Sequence, residues 1–294
     1  MPDVPLACHA MGCRWELLLC GEDPVRLRAA GEEALAEVAR LDAQLSLFRP
    51  ASEVSGLNAR AAQAPVPISP ELFALLEWCA AVHHHTGGAF DITVGPLLHC
   101  WGFRSGEGSV PTPEALAEAR ERVGMQHLEL DRQRRTLRFG RPGMALDLGA
   151  VGKGYALECA VEILRDLGIE HALLHAGTST LYALGTAPDG NGWPVAIRAP
   201  ATPDGCLAVE HLRDRALSVS APHGRCFTAG GRRFGHILDP RTGWPAEGPR
   251  LAAVTHPSPT LSDALSTALL VAGDGLLPAI QEHWPEAECR TVGA

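Results

Sequence analysis

Two residues on one predicted helix could hold a hard metal ion. Asp263 and Thr267 lie four residues apart in the apolar segment from 259 to 273, so that they share one helix face. Oxygen donors at that spacing suit a cation such as Mg²⁺. Alternatively, the threonine hydroxyl bonds back to the helix backbone and the aspartate caps nearby groups. The two residues alone leave both interpretations open.

A second carboxylate precedes a glycine-rich turn. Asp147 lies in a short apolar run that predicts a strand, and Gly149, Gly152 and Gly154 lead into a helical stripe. A strand, a glycine turn and a helix start can form an anion cradle, to which Lys153 adds a positive charge. The order of the glycines matches neither the Walker motif nor the dinucleotide fingerprint. A tight turn alone would also explain them.

Other candidate groups lie at turns. Asp91 directly follows two glycines and Phe90, where it could accept bonds from a ligand or cap a turn. His236 ends a predicted strand and precedes a turn from Asp239 to Gly243. The three consecutive histidines from 83 to 85 point in three directions, so they predict solvated side chains at a helix C-terminus rather than a shared metal site.

Composition excludes several classes of function. The formal net charge of −9 and the scattered arginines argue against a nucleic-acid surface, which leaves small molecules and proteins as partners. Nine cysteines without a Cys-x-x-Cys spacing predict reduced thiols. The N-terminus shows no signal peptide, and no stretch has the length expected of a membrane span. We therefore expect a cytoplasmic protein with no membrane segment.

The elements that must position these groups mix helices with hairpins. Periodicity and capping residues predict five helices, at 24–47, 70–86, 112–124, 152–168 and 259–273. Apolar runs predict strands at 14–19, 127–130, 136–139, 144–148, 172–175, 193–197, 206–209, 217–220 and 251–255. The segment 46–58 has turn residues and a Phe48 that could be buried. We predict an α+β fold of one domain, residues 1–294, with two interleaved lobes and mixed or antiparallel sheets flanked by helices.

Several of these segments together resemble the ApbE-like family of FAD:protein FMN transferases. The most specific are the segments from Asp147 to Tyr155 and from His236 to Gly243. The other matching segments, in the family's order, are Met11–Gly12 with Trp15, Ser52–Asn58, Gly87–Pro96 and Asp263–Leu269. They cover nearly the whole chain.

The resemblance implies a set of site residues. It implies that magnesium is held by the side chains of Asp263 and Thr267 and by the backbone carbonyl of Ala150. It also implies a set of residues that contact FAD, namely Met11, Phe48, Ala89, Phe90, Asp91, Asp147, Lys153 and Leu238. Phe48 stands where the family often has a tyrosine, so stacking is kept and one hydroxyl contact is lost. Manganese would suit the same oxygen donors.

The family's reaction moves the FMN half of FAD to a Thr or Ser hydroxyl of an acceptor flavoprotein and releases AMP. For this chain the resemblance implies the same reaction, with Lys153 beside the pyrophosphate. We expect His236 to assist proton transfer from the acceptor hydroxyl, since a near-neutral pKa suits a general base. A hydrogen bond from His236 to phosphate is the alternative role. Whether the chain forms a homodimer is left open.

Two loops depart from the family's pattern. The loop 176–180 has hydroxyl side chains where the family often has a Gly-Gly-Asp or Gly-Gly-Asn turn, and the segment 219–223 replaces a Thr-Ser-Gly. From the resemblance we expect the first change to affect how FAD is held and the second to affect the choice of acceptor. Two other functions share the same residues: a hydrolase that splits FAD into FMN and AMP, and a flavin-binding module without turnover.

Overall fold

The computed structural model describes residues 3–104, 106–199, 205–222 and 224–293. The strands in chain order are β1 (Asp3–Ala10), β2 (Cys13–Cys20), β3 (Val66–Pro67), β4 (Leu128–Asp131), β5 (Thr136–Phe139), β6 (His171–Ala176), β7 (Thr180–Leu184), β8 (Trp193–Arg198), β9 (Cys206–Leu212), β10 (Arg215–Ser220), β11 (Cys226–Ala229), β12 (Arg232–Gly235), β13 (Leu251–His256) and β14 (Glu288–Val292). The α-helices are α1 (Pro24–Leu45), α2 (Glu53–Arg60), α3 (Pro70–His85), α4 (Gly95–Cys100), α5 (Pro113–Glu121), α6 (Gly152–Asp166), α7 (Pro259–Ala272) and α8 (Leu277–His283).

Seven strands form one antiparallel sheet in the order β1-β2-β6-β7-β10-β13-β14. The strands β3, β5 and β4 form a second sheet, and the pairs β8–β9 and β11–β12 form two hairpins. The described residues therefore confirm the α+β class with antiparallel sheets. The prediction of one domain over residues 1–294 stays a prediction.

The two faces of the large sheet are covered differently. Along β7, Tyr182 and Leu184 join a core cluster with α1, α6 and α7, whereas Leu181 and Ala183 join a cluster with β8 and β9. Successive side chains of a strand point to opposite faces, so helices cover one face and a hairpin covers the other. A third cluster holds α4, α5 and the β11–β12 hairpin together around Trp101.

The helix predictions are confirmed where the apolar period is long. Helix α1 begins after the cap Asp23, whose side chain accepts from the N–H groups of Val25 and Arg26, and its buried stripe includes Leu27, Ala34, Val38 and Leu41. Helix α7 ends at Gly273, which has φ 67°. The predicted turn at 239–243 is also confirmed, since the N–H of Gly243 donates to the Asp239 carbonyl at 2.8 Å.

Three expectations about strands and burial are wrong. The segment 144–148 is not a strand: it forms one parallel bridge, Val94 to Ala145, and otherwise meets its backbone hydrogen bonds through Asn58 and Ile92. The strand at 251–255 is not the last, because β14 pairs with it. Phe48 is not buried; it is 70% exposed, since the loop that carries it is anchored through Ser46 and Ser52 rather than through its ring.

One helical stretch, Pro259–His283, is long and apolar enough by length and composition to cross a membrane. It contains α7 and α8, and 56% of its most apolar window is buried inside the protein. Helix α7 packs against β10, β13 and α6. This apolar helical stretch is therefore longer than any that we predicted from the sequence, but it is buried in the same way as a core helix.

Candidate functional site

Helices α6 and α7 meet at Gly154 and Asp263. A Cβ at Gly154 would lie 2.4 Å from the Pro259 carbonyl oxygen and 2.7 Å from the Asp263 Cβ, so only glycine permits this approach. The N–H of Gly154 donates to Oδ2 of Asp263 at 3.0 Å. No side chain of the N-cap residue satisfies the start of α6, so Asp263 takes over this capping role.

The loop between β6 and β7 supplies hydroxyls to the same place. Ser179 Oγ accepts a hydrogen bond from Lys153 Nζ, and Thr180 Oγ1 donates to Oδ1 of Asp263 at 3.1 Å. The hydroxyl-rich sequence that departs from the family pattern therefore ties Lys153 and Asp263 to one loop.

Thr267 lies one helical turn beyond Asp263 and faces β10. Its Oγ1 is 3.3 Å from Ser220 Oγ, so the predicted bond back to the helix is not its contact here. Ser266 makes such a bond instead, with its hydroxyl donating to the Asp263 carbonyl at 3.0 Å. Ser220 belongs to the second segment that departs from the family pattern, of which His223 lies outside the described residues.

The donor set suits a hard cation. Ala150 precedes Val151, the N-cap residue of α6, so its carbonyl lies outside the helix, next to the turn at which the N–H of Gly154 donates to Asp263. Among the described residues there is no group of three or more His, Cys, Asp or Glu side chains that could hold a metal ion. Asp263, Thr267 and Ala150 offer one carboxylate, one hydroxyl and one carbonyl, which fits Mg²⁺ completed by phosphate oxygens. Their role as ligands stays a prediction.

Asp263 is 5% exposed. Burial raises the pKa of its carboxyl, while the nearby charge of Lys153 and the donors Gly154 and Thr180 lower it. A buried carboxylate with one positive neighbour has the capacity to bind a further cation, because its ionised form is incompletely compensated.

Asp147 is held at both oxygens. Oδ1 accepts from the N–H of Gly149 at 2.9 Å, and Oδ2 accepts from Arg104 at 3.1 Å. Its own N–H donates to the Ile92 carbonyl at 2.7 Å, which connects it to the segment that carries Asp91. Arg104 did not emerge from the sequence, because it lies 43 residues before its partner.

His236 follows β12 directly, as the sequence predicts for a strand end. Its Nδ1 is 3.1 Å from the Arg225 carbonyl, which can only accept, so Nδ1 carries the proton and Nε2 keeps a free lone pair. Burial lowers the pKa of His236; the bond to Arg225 raises it, the charges of Arg225 and Lys153 lower it, and that of Asp147 raises it. The imidazole is therefore neutral near pH 7, within the fields of Lys153 and Asp147.

The segment 89–93 is buried. Ala89 and Phe90 are in the core, and Asp91 Oδ1 accepts from Thr93 N at 2.7 Å and from the Thr93 hydroxyl at 2.5 Å. This is the turn-capping contact that the sequence offered as one alternative. Burial raises the pKa of Asp91, and Thr93 and His83 lower it. His83 Nδ1 lies 3.4 Å from Asp91 Oδ2, so this histidine is a partner of the aspartate, and the prediction of a purely solvated side chain is wrong for it.

The remaining predicted FAD contacts lie at loops. Met11 is in the β1–β2 turn with φ 51°, and its N–H donates to Asp42 at 2.8 Å. Phe48 leaves its ring open to solvent. Leu238 is buried beside Trp101 and pairs with Pro245 across the 239–243 turn. The roles of all these residues toward FAD stay predictions.

Electrostatics connect Lys153 with two other predicted site residues, Asp263 and His236. Lys153 bonds Ser179, lies within the field of Asp263, and acts on the pKa of His236 and of Cys13, which begins β2 next to the Met11 turn. Sequence reasoning missed the partners Arg104, Ser179, Thr180 and His83. For Ser179 and Thr180 the only signal was the departure at 176–180, which marked the hydroxyl loop without saying what it contacts.

Comparison with known proteins gives the same family over most of the chain. The ApbE family model matches residues 11–290. The FAD:protein FMN transferase of Klebsiella pneumoniae is 31% identical over 270 residues, covering 90% of this chain and 77% of that protein. That of Haemophilus influenzae is 32% identical over 253 residues, covering 83% and 72%.

Solved structures agree. The ApbE protein of Thermotoga maritima superposes with a TM-score of 0.90 at 28% identity, covering 100% of this chain and 96% of that one. The flavinyl transferase ApbE of Pseudomonas stutzeri, in its apo form, gives 0.87 at 30% identity, covering 100% and 92%. The chain belongs to the ApbE family.

Proposed function

We propose that this chain transfers the FMN moiety of FAD to a Thr or Ser hydroxyl of an acceptor flavoprotein, with release of AMP. The observation that carries the proposal is that Lys153 bonds Ser179, whose neighbour Thr180 bonds Asp263, and that the charge of Lys153 lowers the pKa of both Asp263 and His236. Phosphoryl transfer needs positive charge at the phosphates and a proton acceptor at the attacking hydroxyl, and these groups supply both. The names of the relatives support the transfer of FMN from FAD to a protein.

The chemistry follows from the side chains. The acceptor hydroxyl oxygen forms a bond to the phosphorus of the FMN phosphate, and the anhydride P–O bond to AMP breaks. The hydroxyl proton moves to Nε2 of His236, the nitrogen left free by the bond from Nδ1 to Arg225. Lys153 stabilises charge on the pyrophosphate, and the contact with Ser179 fixes the direction of its ammonium group.

We also propose that the chain needs Mg²⁺, held by Asp263, Thr267 and the Ala150 carbonyl. Bound there, Mg²⁺ would supply Lewis-acid stabilisation of the phosphate oxygens. The protein offers a single carboxylate at this place, so affinity for the ion should rise when the pyrophosphate of FAD adds its oxygens. Mn²⁺ satisfies the same donors.

The test is a transfer assay with an acceptor domain. The chain, FAD, Mg²⁺ and the acceptor are incubated, denatured and separated, and flavin fluorescence is read on the acceptor band. We expect fluorescence that survives denaturation and disappears when the acceptor Thr or Ser is replaced by Ala. AMP release without fluorescence would show a hydrolase instead, and FAD binding without either product would show a binding module.

A further inference from the structure

Arg104 makes an arginine ion pair in which both side chains are largely buried. Its side chain is 24% exposed and that of Asp147 is 14% exposed, whereas the pair of Arg14 and Glu16 is 62% and 56% exposed. Arg104 also donates weakly to the Leu146 carbonyl at 3.4 Å. A largely buried pair has strong mutual dependence, because removing one partner leaves the other charge poorly solvated.

Folding stability does not explain why the Arg104 guanidinium lies beside Asp147. Its Nε is buried and has no hydrogen-bond partner among the described residues. Glycine at position 95 permits both this packing and the approach of Ala145, since a Cβ there would lie 2.6 Å from the Ala145 carbonyl oxygen and 2.8 Å from the Arg104 terminal nitrogen. A buried N–H without an acceptor is destabilising, so the arrangement is not explained by stability alone.

The charges around the site show what Arg104 adds. Asp147 and Asp263 place two carboxylates near the place predicted for a pyrophosphate that is itself a dianion, and Lys153 is one opposing charge. The field of Asp147 reaches the site, since it acts on the pKa of His236. Without a second cation, Asp147 would repel the ligand that it is predicted to contact.

We propose that Arg104 is a positioning residue for the FAD site. It fixes the Asp147 carboxylate against the turn at Gly149 and offsets its charge, so that an anionic dinucleotide can bind beside an acidic residue. The inference rests on the proposed function, and it adds a residue that the site predicted from the sequence does not contain.

The experiment is a titration of FAD, followed by flavin fluorescence, at several NaCl concentrations. The variants are R104Q, R104K and D147N, with R290Q as the matched control. Arg290 makes one bond to Glu210 at 2.9 Å on the β14–β9 side and contacts no predicted site residue. Melting temperatures are recorded for each variant to identify those that are folded.

We expect R104Q to weaken FAD binding by about tenfold or more, while R104K, which keeps the charge, stays within about threefold of the parent. The salt dependence distinguishes charge offset from simple support of the fold. R104Q should make the affinity for FAD less dependent on salt, because one attractive charge is lost. D147N should make the affinity more dependent on salt, because the charge of Arg104 is then uncompensated. R290Q should match the parent.

FAD binding by folded R104Q at the parental affinity would overturn the inference, as would an equal loss in R104K. If R104Q does not fold, D147N decides alone: an unchanged salt dependence would overturn the charge-offset role. A parent protein that does not bind FAD at all would instead overturn the proposed function, which is a separate outcome.

Discussion

The α6–α7 crossing and the end of the β11–β12 hairpin carry residues of the predicted site in surroundings of opposite physical character. At the crossing, Asp263 is almost fully buried and both its oxygens accept hydrogen bonds. On the hairpin side, His236 is half-buried and keeps Nε2 free, and Trp244 nearby is 40% exposed. The crossing holds charge in a fixed place, while the hairpin side keeps Nε2 of His236 free beside an exposed surface, which suits the acceptor that we propose.

The largest effect should come from the carboxylate at the crossing. We expect Asp263→Ala to abolish metal dependence and to lower FMN transfer by about a thousandfold, which corresponds to the several kcal/mol of charge stabilisation that a bound ion supplies. The measurement is the transfer rate against Mg²⁺ concentration. Asp263→Asn is the control that keeps an acceptor for the α6 N-terminus. A parental rate in the alanine variant would show that the metal assignment is wrong.

Removing the imidazole should affect turnover but not binding. We expect His236→Ala to bind FAD with the parental affinity and to transfer FMN about a hundredfold more slowly, because a general base contributes at least that much. FAD titration and single-turnover kinetics separate the two. Equal loss of affinity and rate would make His236 a ligand contact instead.

The pH dependence of the transfer rate also tests His236 as the general base. Burial lowers the pKa of His236 below its ordinary value of about 6.5. As pH falls through this lowered pKa, Nε2 takes up a proton and can no longer accept one, so the rate should fall on the acid side of about pH 6.5 and be flat just above it. The rate profile of the parent checks this, and the limb should be absent from His236→Ala.

A smaller effect should come from packing at the crossing. We expect Gly154→Ala to lower the free energy of unfolding by about 1–3 kcal/mol, since its Cβ would overlap the Pro259 carbonyl oxygen. Gly275→Ala is the control, because a Cβ there meets nothing within 4 Å. Denaturant unfolding of both variants gives the comparison. Equal stability in the two would mean that the helices separate without cost.

The smallest effect should come from the hairpin surface. The ion pair of Arg232 and Glu247 is 58% and 74% exposed. We expect Glu247→Gln to change the free energy of unfolding by less than about 1 kcal/mol. A larger loss, seen in the same unfolding assay, would show that this side of the site is as rigid as the crossing.

The sequence predicted most of what is local. The long apolar periods of α1 and α7, the β4–β5 hairpin and the turn at 239–243 were predicted correctly, because each depends on neighbouring residues. Strand β1 was missed: it carries Pro5 and lies at the edge of the sheet, where the apolar alternation is weak. The run at 144–148 looks like a strand, but a side chain from α2 replaces its partner.

In the candidate site, too, local features could be predicted from the sequence and contacts between distant segments could not. The spacing of Asp263 and Thr267 places both on one face of α7, as predicted, but the choice between a ligand and a cap depends on Gly154, Thr180 and Ser220 from distant segments. The ion pairs of Arg104 with Asp147 and of His83 with Asp91 could not be predicted, because no periodicity of the sequence relates partners that lie in separate segments. The family resemblance was needed to assign residues that lie far apart in the sequence to one predicted site.

The central claim is tested most directly by the mass of the acceptor after reaction. We predict a gain equal to FMN less one water on the acceptor Thr or Ser, matched by one equivalent of AMP, and an about hundredfold slower gain with His236→Ala. AMP formed without any mass gain, or a gain that His236→Ala leaves at the parental rate, would contradict the account.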